Sequence, residues 1–185
     1  MTAEAYMIEG CKQNSRKSQE RLYMQAYTAL FSLCQRFFDE EQEIITAINN
    51  GMLRVFKNID KYEEGRGELL TWIYTIVRNE ALTLVRNKKT AMSLEELTTD
   101  MTAEMMTNPF ADTVADEVAE YLQKLPQTTR AVCSLFYMEG YDIKETAASL
   151  EMKEGTVKWH LSEGRKRLNH IFKQDKQRTA NAEGL

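Results

Sequence analysis

Two clusters of side chains in this sequence have the types and spacing to handle nucleic acid. In the first, Trp72, Thr75, Asn79, Thr83 and Arg86 recur every three or four residues, with Arg78, Lys88 and Lys89 close by. An aromatic ring, an amide, hydroxyls and cations along one helix can grip a sugar-phosphate backbone and hold unstacked bases. Trp72 alone would fit a core position equally well. In the second, Lys158, Trp159, Ser162, Arg165 and Lys166 lie on a basic stretch, where residues 153–173 carry six Lys or Arg against two Glu. A basic helix with a free face is suited to a DNA major groove.

Other chemistries lack their residues. His160 and His170 are the only histidines, and on one helix they stand about 15 Å apart, too far to share a metal. Cys11, Cys34 and Cys133 form no Cys-x-x-Cys pair; the last two read as small core residues and the first as part of a solvated lead-in. Gly65-Arg66-Gly67 has neither the spacing nor the Lys-Ser/Thr of a phosphate loop. The expectation is a protein with no enzymatic centre, no metal and no cofactor. Nor is there an apolar run of the roughly 18 residues a membrane span needs, or a signal-peptide pattern, which points to the cytoplasm.

The basic cluster needs a particular scaffold. Pro126 suits a helix start, Ala131, Leu135 and Met138 follow at helical spacing, and Gly140 offers a stop. Asp142 and Glu145 form a capping box for a short second helix containing Ala147 and Ala148. Residues 151–153 turn into a third helix that starts at Glu154, Gly155 and Thr156, buries Val157, Leu161 and Leu168, and leaves Lys158, Trp159, Ser162, Arg165 and Lys166 to solvent. Three helices so arranged describe a helix-turn-helix, although a plain helical bundle shares the pattern. Upstream, residues 1–17 read as polar lead-in. Residues 18–38 carry a helical stripe from Leu22 to Phe38. A second stripe, Ile44, Ile45, Ile48, Met52, Val55 and Phe56, leaves Thr46, Asn49, Asn50 and Arg54 on a polar face. Asn49, Asn50 and Gly51 are poor mid-helix residues, and contact with a partner is one reason for them to be there. A long helix over 68–87 would bury Leu70, Ile73, Val77, Ala81 and Leu84.

The net charge of −4 is unevenly spread. Residues 90–123 hold eight acidic side chains and no Lys or Arg, so the remainder is positive. With 43% hydrophobic residues and only two prolines, the fold class is all-α: two helical domains joined by a linker, the C-terminal one a helix-turn-helix. The boundaries are 1–89, an acidic linker at 90–111, 112–173 with a leading helix over 112–124, and a polar tail at 174–185.

In this order the two modules resemble a sigma factor of the extracytoplasmic-function group of the sigma-70 family. The stretch NNGMLRVFKNIDKYEEGRGELLTWIYTIVRNEALTLVRNKK is similar to that family's second domain and LPQTTRAVCSLFYMEGYDIKETAASLEMKEGTVKWHLSEGRKRL to its fourth. The resemblance implies a protein that binds core RNA polymerase and directs it to promoter DNA, opening the minus-ten element and holding the minus-thirty-five element as duplex. By position, Tyr62, Trp72, Arg78, Asn79, Thr83 and Arg86 fall on the melting helix and its approach, with Asn79 bordering a pocket for a flipped base. Thr156, Lys158, Trp159, Ser162 and Arg165 fall on the duplex-reading helix, Lys158 and Trp159 nearest the bases and Arg165 on phosphate. Thr46, Asn49, Asn50 and Arg54 fall on the polymerase-gripping helix, where the family usually shows Asp, Gln and Glu. Glu151 replaces a common turn glycine, and Trp159 a small residue. An anti-sigma factor is a further partner that the residues do not specify. The competing readings are a repressor or response-regulator output domain that binds an operator unaided, and a helical scaffold that acts without polymerase.

Overall fold

The N-terminal residues fold instead of trailing as a lead-in. In the computed structural model, which describes residues 2–90 and 115–182, Thr2 accepts a hydrogen bond from the Ala5 N–H at 3.1 Å and caps α1, Ala3–Lys12. Met7, Ile8 and Cys11 share one face of that helix and are buried. Three apolar core residues in a ten-residue helix are a weak periodic signal, and the next helix in the chain, α2 (Arg16–Gln35), decides the outcome. Cys11 is therefore a core residue like the other two cysteines.

The chain divides into two compact units, Met1–Lys88 and Lys89–Leu185. In the first, α2 (Arg16–Gln35) buries Leu22, Ala26, Leu30, Leu33 and Cys34, and Phe37 and Phe38 close its end. Tyr23, Tyr27 and Phe31 form a half-buried row, with ring centroids 5.9 and 5.8 Å apart. Glu41 and Glu43 open α3 (Glu41–Asn58) at the positive end of its dipole. That helix buries Ile44, Ala47, Ile48, Met52 and Val55 and leaves Ile45 and Phe56 half-buried. A 3-10 turn, Ile59–Lys61, packs against α1. After a turn in which Gly65 takes a φ of 96°, α4 runs from Leu69 to Thr90. Its buried stripe is Leu69, Ile73, Val77, Ala81, Leu82 and Val85. Leu70, expected inside, is 40% exposed, because the neighbouring Leu69 takes the core position one residue earlier.

In the second unit α5 spans Ala115–Gln123, α6 Gln127–Cys133, and one wider π turn, Ser134–Met138, ends that stretch before Gly140 at φ 71°. Pro126 stands just ahead of α6, and its carbonyl accepts from the Arg130 N–H at 2.8 Å. The expected capping box of α7 (Ile143–Leu150) is formed, with Glu145 N–H to Asp142 at 2.7 Å and Asp142 N–H to Glu145 at 2.8 Å. Of the alanine pair, Ala147 is buried and Ala148 exposed. α8 runs from Glu154 to Ala182 with Val157, Leu161 and Leu168 fully buried. It continues as helix to Ala182, into the stretch expected to be a tail from residue 174: Asp175 lies 3.4 Å from Lys124, just after Phe172 meets Tyr121 edge-on at 4.5 Å.

Nearly all of the acidic linker, and the first residues of the helix expected over 112–124, lie outside the described residues. Among those described every regular element is helical, and no helix is long and apolar enough to cross a membrane.

Candidate nucleic-acid interface

The first cluster is carried by α4 and the turn before it. With Ile73, Val77 and Ala81 facing the core, Trp72, Thr75, Asn79, Thr83 and Arg86 line the open side. Tyr62 is buried, donates its hydroxyl to the Gly67 carbonyl at 2.9 Å, and sets its ring 5.5 Å from that of Trp72 at 50°. Burial, and then the carboxylates of Glu4, Glu64 and Glu68, push its phenol above the ordinary range, so it stays protonated. Lys61, Tyr62, Arg66, Trp72 and Thr75 border a cavity of about 330 Å³, the size range of small-ligand sites.

Not every member of the cluster is equipped for the same task. Thr75 and Thr83 donate their hydroxyls to the Thr71 and Asn79 carbonyls at 3.0 and 2.9 Å, and Thr83 also accepts from Arg86 at 3.0 Å. Held in that way, the two hydroxyls offer a nucleic acid acceptors only. Asn79 is exposed and Arg78 half-buried. Arg86 lies fourteen residues beyond Trp72, about 21 Å along the helix, so the cluster is a track and not a single pocket.

On α3 most of the residues assigned to polymerase contact have work inside the unit. Thr46 donates to the Gln42 carbonyl at 2.7 Å, and Asn49 accepts from the Tyr23 hydroxyl at 2.9 Å. Arg54 pairs with buried Glu80 of α4 at 2.6 Å. A Cβ at Gly51 would lie 2.9 Å from the Val77 Cα, so the glycine lets α3 and α4 touch. Asn49 and Gly51 are therefore tolerated in mid-helix for an internal reason, and no partner is needed to explain them. Asn50 is half-buried. Leu53, which carries no signal in the sequence beyond its apolarity, is 53% exposed on the outer side of the helix. Arg54→Glu should destabilise this unit by about 1–3 kcal/mol, since Glu80 would lose its cation and face a like charge in a nearly dry site. Arg54→Lys should recover most of the loss, measured as the urea midpoint; equal midpoints for Arg54→Glu and the parent chain would show the pair to be idle.

The largest correction falls on α8. Ser162 and Arg165, expected at the surface, are only 5% and 6% exposed. Arg165 donates to the Tyr137 hydroxyl at 2.5 Å, with its guanidinium 6.0 Å from that ring's centroid. The helix is clasped from two sides, by α6 and by α7. Where it meets α6, a Cβ on Gly164 would come 2.6 Å from the Cys133 sulfur, so the buried arc is wider than the apolar stripe implied. His160 is likewise inside, its Nδ1 at 3.0 Å from the Thr129 hydroxyl. Burial pushes the Cys133 thiol, like that of Cys34, up to about 12, which leaves no reactive thiolate at neutral pH.

Thr156, Lys158 and Trp159 remain half-exposed, and Lys166 and Arg167 are exposed. Glu163, which in the sequence is only one charge among several, stands on this open face one turn beyond Trp159, its carboxylate 2.6 Å from Arg167 Nε. The signal that could have placed it is the i, i+4 spacing from Trp159 to Glu163 to Arg167.

Residues 22–90 match the family described as Sigma-70 region 2, and residues 115–168 that described as Sigma-70, region 4. The chain is 26% identical over 151 residues to the ECF RNA polymerase sigma factor SigW of Bacillus subtilis, covering 75% of this chain and 80% of that one. It is 25% identical over 174 residues to the ECF RNA polymerase sigma factor SigM of Mycobacterium tuberculosis, with 92% and 85% covered. Among solved structures, CnrH in complex with the cytosolic domain of CnrY aligns over 94% of this chain and 99% of that chain, at a TM-score of 0.47 and 17% identity. With region 2 matched in the unit that carries the aromatic track, and region 4 in the unit that carries the helix-turn-helix, the chain belongs to the extracytoplasmic-function group of the sigma-70 family.

Proposed function

We propose that this sigma factor binds core RNA polymerase and directs it to promoters, with the α4 track engaging an opened minus-ten strand and α8 engaging the minus-thirty-five element as duplex. One observation carries the division of labour. The α4 unit sets an aromatic pair at a cavity and an exposed amide two turns further along the same helix, which suits unstacked bases, whereas α8 presents basic side chains on the second helix of a helix-turn-helix, which suits a major groove. Tyr62, Trp72, Arg78, Asn79 and Arg86 serve the first contact, and Thr156, Lys158 and Trp159 the second. Arg165 and Ser162 support α8 from within. The surface of α3 around Asn50 and Leu53 is the polymerase-facing one. The protein works in the cytoplasm as a regulator of transcription and carries out no chemistry of its own.

Neither unit carries a net positive charge, the cations being gathered on helix faces, so the free chain should bind promoter duplex weakly and gain its hold when polymerase presents both units at once. The test is co-purification with core polymerase followed by run-off transcription. Polymerase-dependent initiation is the expected result. Tight, specific binding of operator duplex by the free chain, with no retention of polymerase, would favour a repressor instead.

A further inference from the structure

The reading face of α8 contains one acid among its cations, and its placement is specific. Glu163 lies four residues after Trp159 and four before Arg167, so the three positions line up along the open side of the helix, with Lys166 beside them and the Glu163 side chain half-buried. The other acid of the stretch, Glu154, sits in the first helical turn, where the dipole favours it. Glu163 sits in the third turn, on a surface that must approach phosphates, where a lone carboxylate would weaken binding. Arg167 holds it at 2.6 Å, which offsets that charge and fixes the direction in which its free lone pairs point.

Building on the promoter-directing role proposed above, we infer that Glu163 is a specificity-determining residue that selects cytosine in the upstream duplex element, with Arg167 as its positioning residue. An ionised carboxylate can only accept hydrogen bonds. In the major groove cytosine presents its N4 amino group as a donor, guanine presents two acceptors, and thymine presents an acceptor and a methyl group. Adenine offers a donor beside an acceptor, which would face the carboxylate's second oxygen. Glu163 therefore accepts from cytosine and is repelled by guanine at the same position. A surface ion pair with no reading role would add a few tenths of a kcal/mol to the helix and would leave base choice unmoved.

The experiment is selection of active promoters by holoenzyme, made from core polymerase and the full chain, from a library randomised across the upstream element. Wild type should retain cytosine at one position on one strand by about tenfold or more over guanine. Glu163→Gln, which has nearly the same shape, should move the preference at that position towards adenine, because a carboxamide can pair with the adenine N6 and N7. Glu163→Ala should flatten that position alone, and Arg167→Ala should weaken it without changing the others. An identical selected motif for wild type, Glu163→Gln and Glu163→Ala would overturn the inference while leaving promoter direction intact. A wild-type holoenzyme that selects no promoter at all would sink the promoter-directing role itself, and this inference with it.

Discussion

Trp72→Ala is expected to reduce open-complex formation on duplex promoters by about tenfold, and by up to about a hundredfold if the ring is the main platform for an unstacked base. Stacking on an aromatic side chain contributes about 1–3 kcal/mol per base, and extruding a base from duplex costs a few kcal/mol that such contacts must offset. Trp72 sits at the rim of the cavity with Tyr62 behind it at 5.5 Å. Removing it takes away the ring that faces solvent and keeps the one anchored to Gly67. Part of the loss comes from the ring pair itself, worth about 0.5–1.5 kcal/mol of packing. Two controls separate the effects. Trp72→Phe should retain most of the opening, and a template with a premelted bubble should largely restore Trp72→Ala, because the cost of unpairing has then been removed. Asn79→Ala should follow the same pattern more weakly. Equal losses on duplex and premelted templates, read by reactivity of unpaired thymines, would remove the strand-opening role from this face.

How far the sequence carried these conclusions depended on whether one helix or several determined the outcome. The capping box of Asp142 and Glu145 and the burial of Val157, Leu161 and Leu168 were legible, since each depends on spacing within a single helix. The α4 track was legible for the same reason. The phase of its core stripe was not, because adjacent Leu69 and Leu70 both satisfy the apolar pattern and only packing chooses between them. α1 escaped notice because Met7, Ile8 and Cys11 are too few to stand out without the surface they cover. Arg165 misled more seriously. Its charge marked it for phosphate, whereas the fold places the guanidinium against the Tyr137 hydroxyl and ring, a partner 28 residues away that no local pattern announces. Arg54, paired with Glu80 across two helices, is a milder instance. Long cationic side chains can bury their stems and satisfy their heads inside a small domain, so charge on a helix predicts surface less well than apolarity predicts core.

Gly51→Ala is expected to destabilise the first unit by about 1–2 kcal/mol, opposite in sign to what helix propensity alone would give. In an exposed mid-helix position the same substitution would stabilise by about 1 kcal/mol. Here the new methyl carbon would stand 2.7 Å from Val77 Cγ2 and 2.9 Å from Val77 Cα. A side chain can rotate away, but the Cα belongs to the backbone of α4, so the two helices would have to separate. Overpacking of this kind costs about 1–3 kcal/mol, sometimes more, which outweighs the propensity gain. For a unit of this size each kcal/mol moves the melting temperature by about 4–8 °C. Val77→Ala in the same chain should rescue Gly51→Ala only in part, because it removes Cγ2 and leaves the clash with the α4 backbone in place. Gly164→Ala is the internal comparison: its nearest neighbours are the Cys133 sulfur at 2.6 Å and Thr129 Cγ2 at 3.1 Å, both side-chain ends. It should therefore cost the second unit less. If α3 faces polymerase and α4 the opened strand, as proposed above, separation of the two helices would also shift one contact against the other, so transcription by Gly51→Ala should fall even at temperatures where the unit stays folded. Hydrogen exchange resolved to each unit, read beside thermal melting, tests this: a Gly51→Ala chain as stable as the parent, with α3 and α4 amides equally protected, would show that the helices do not depend on this close approach.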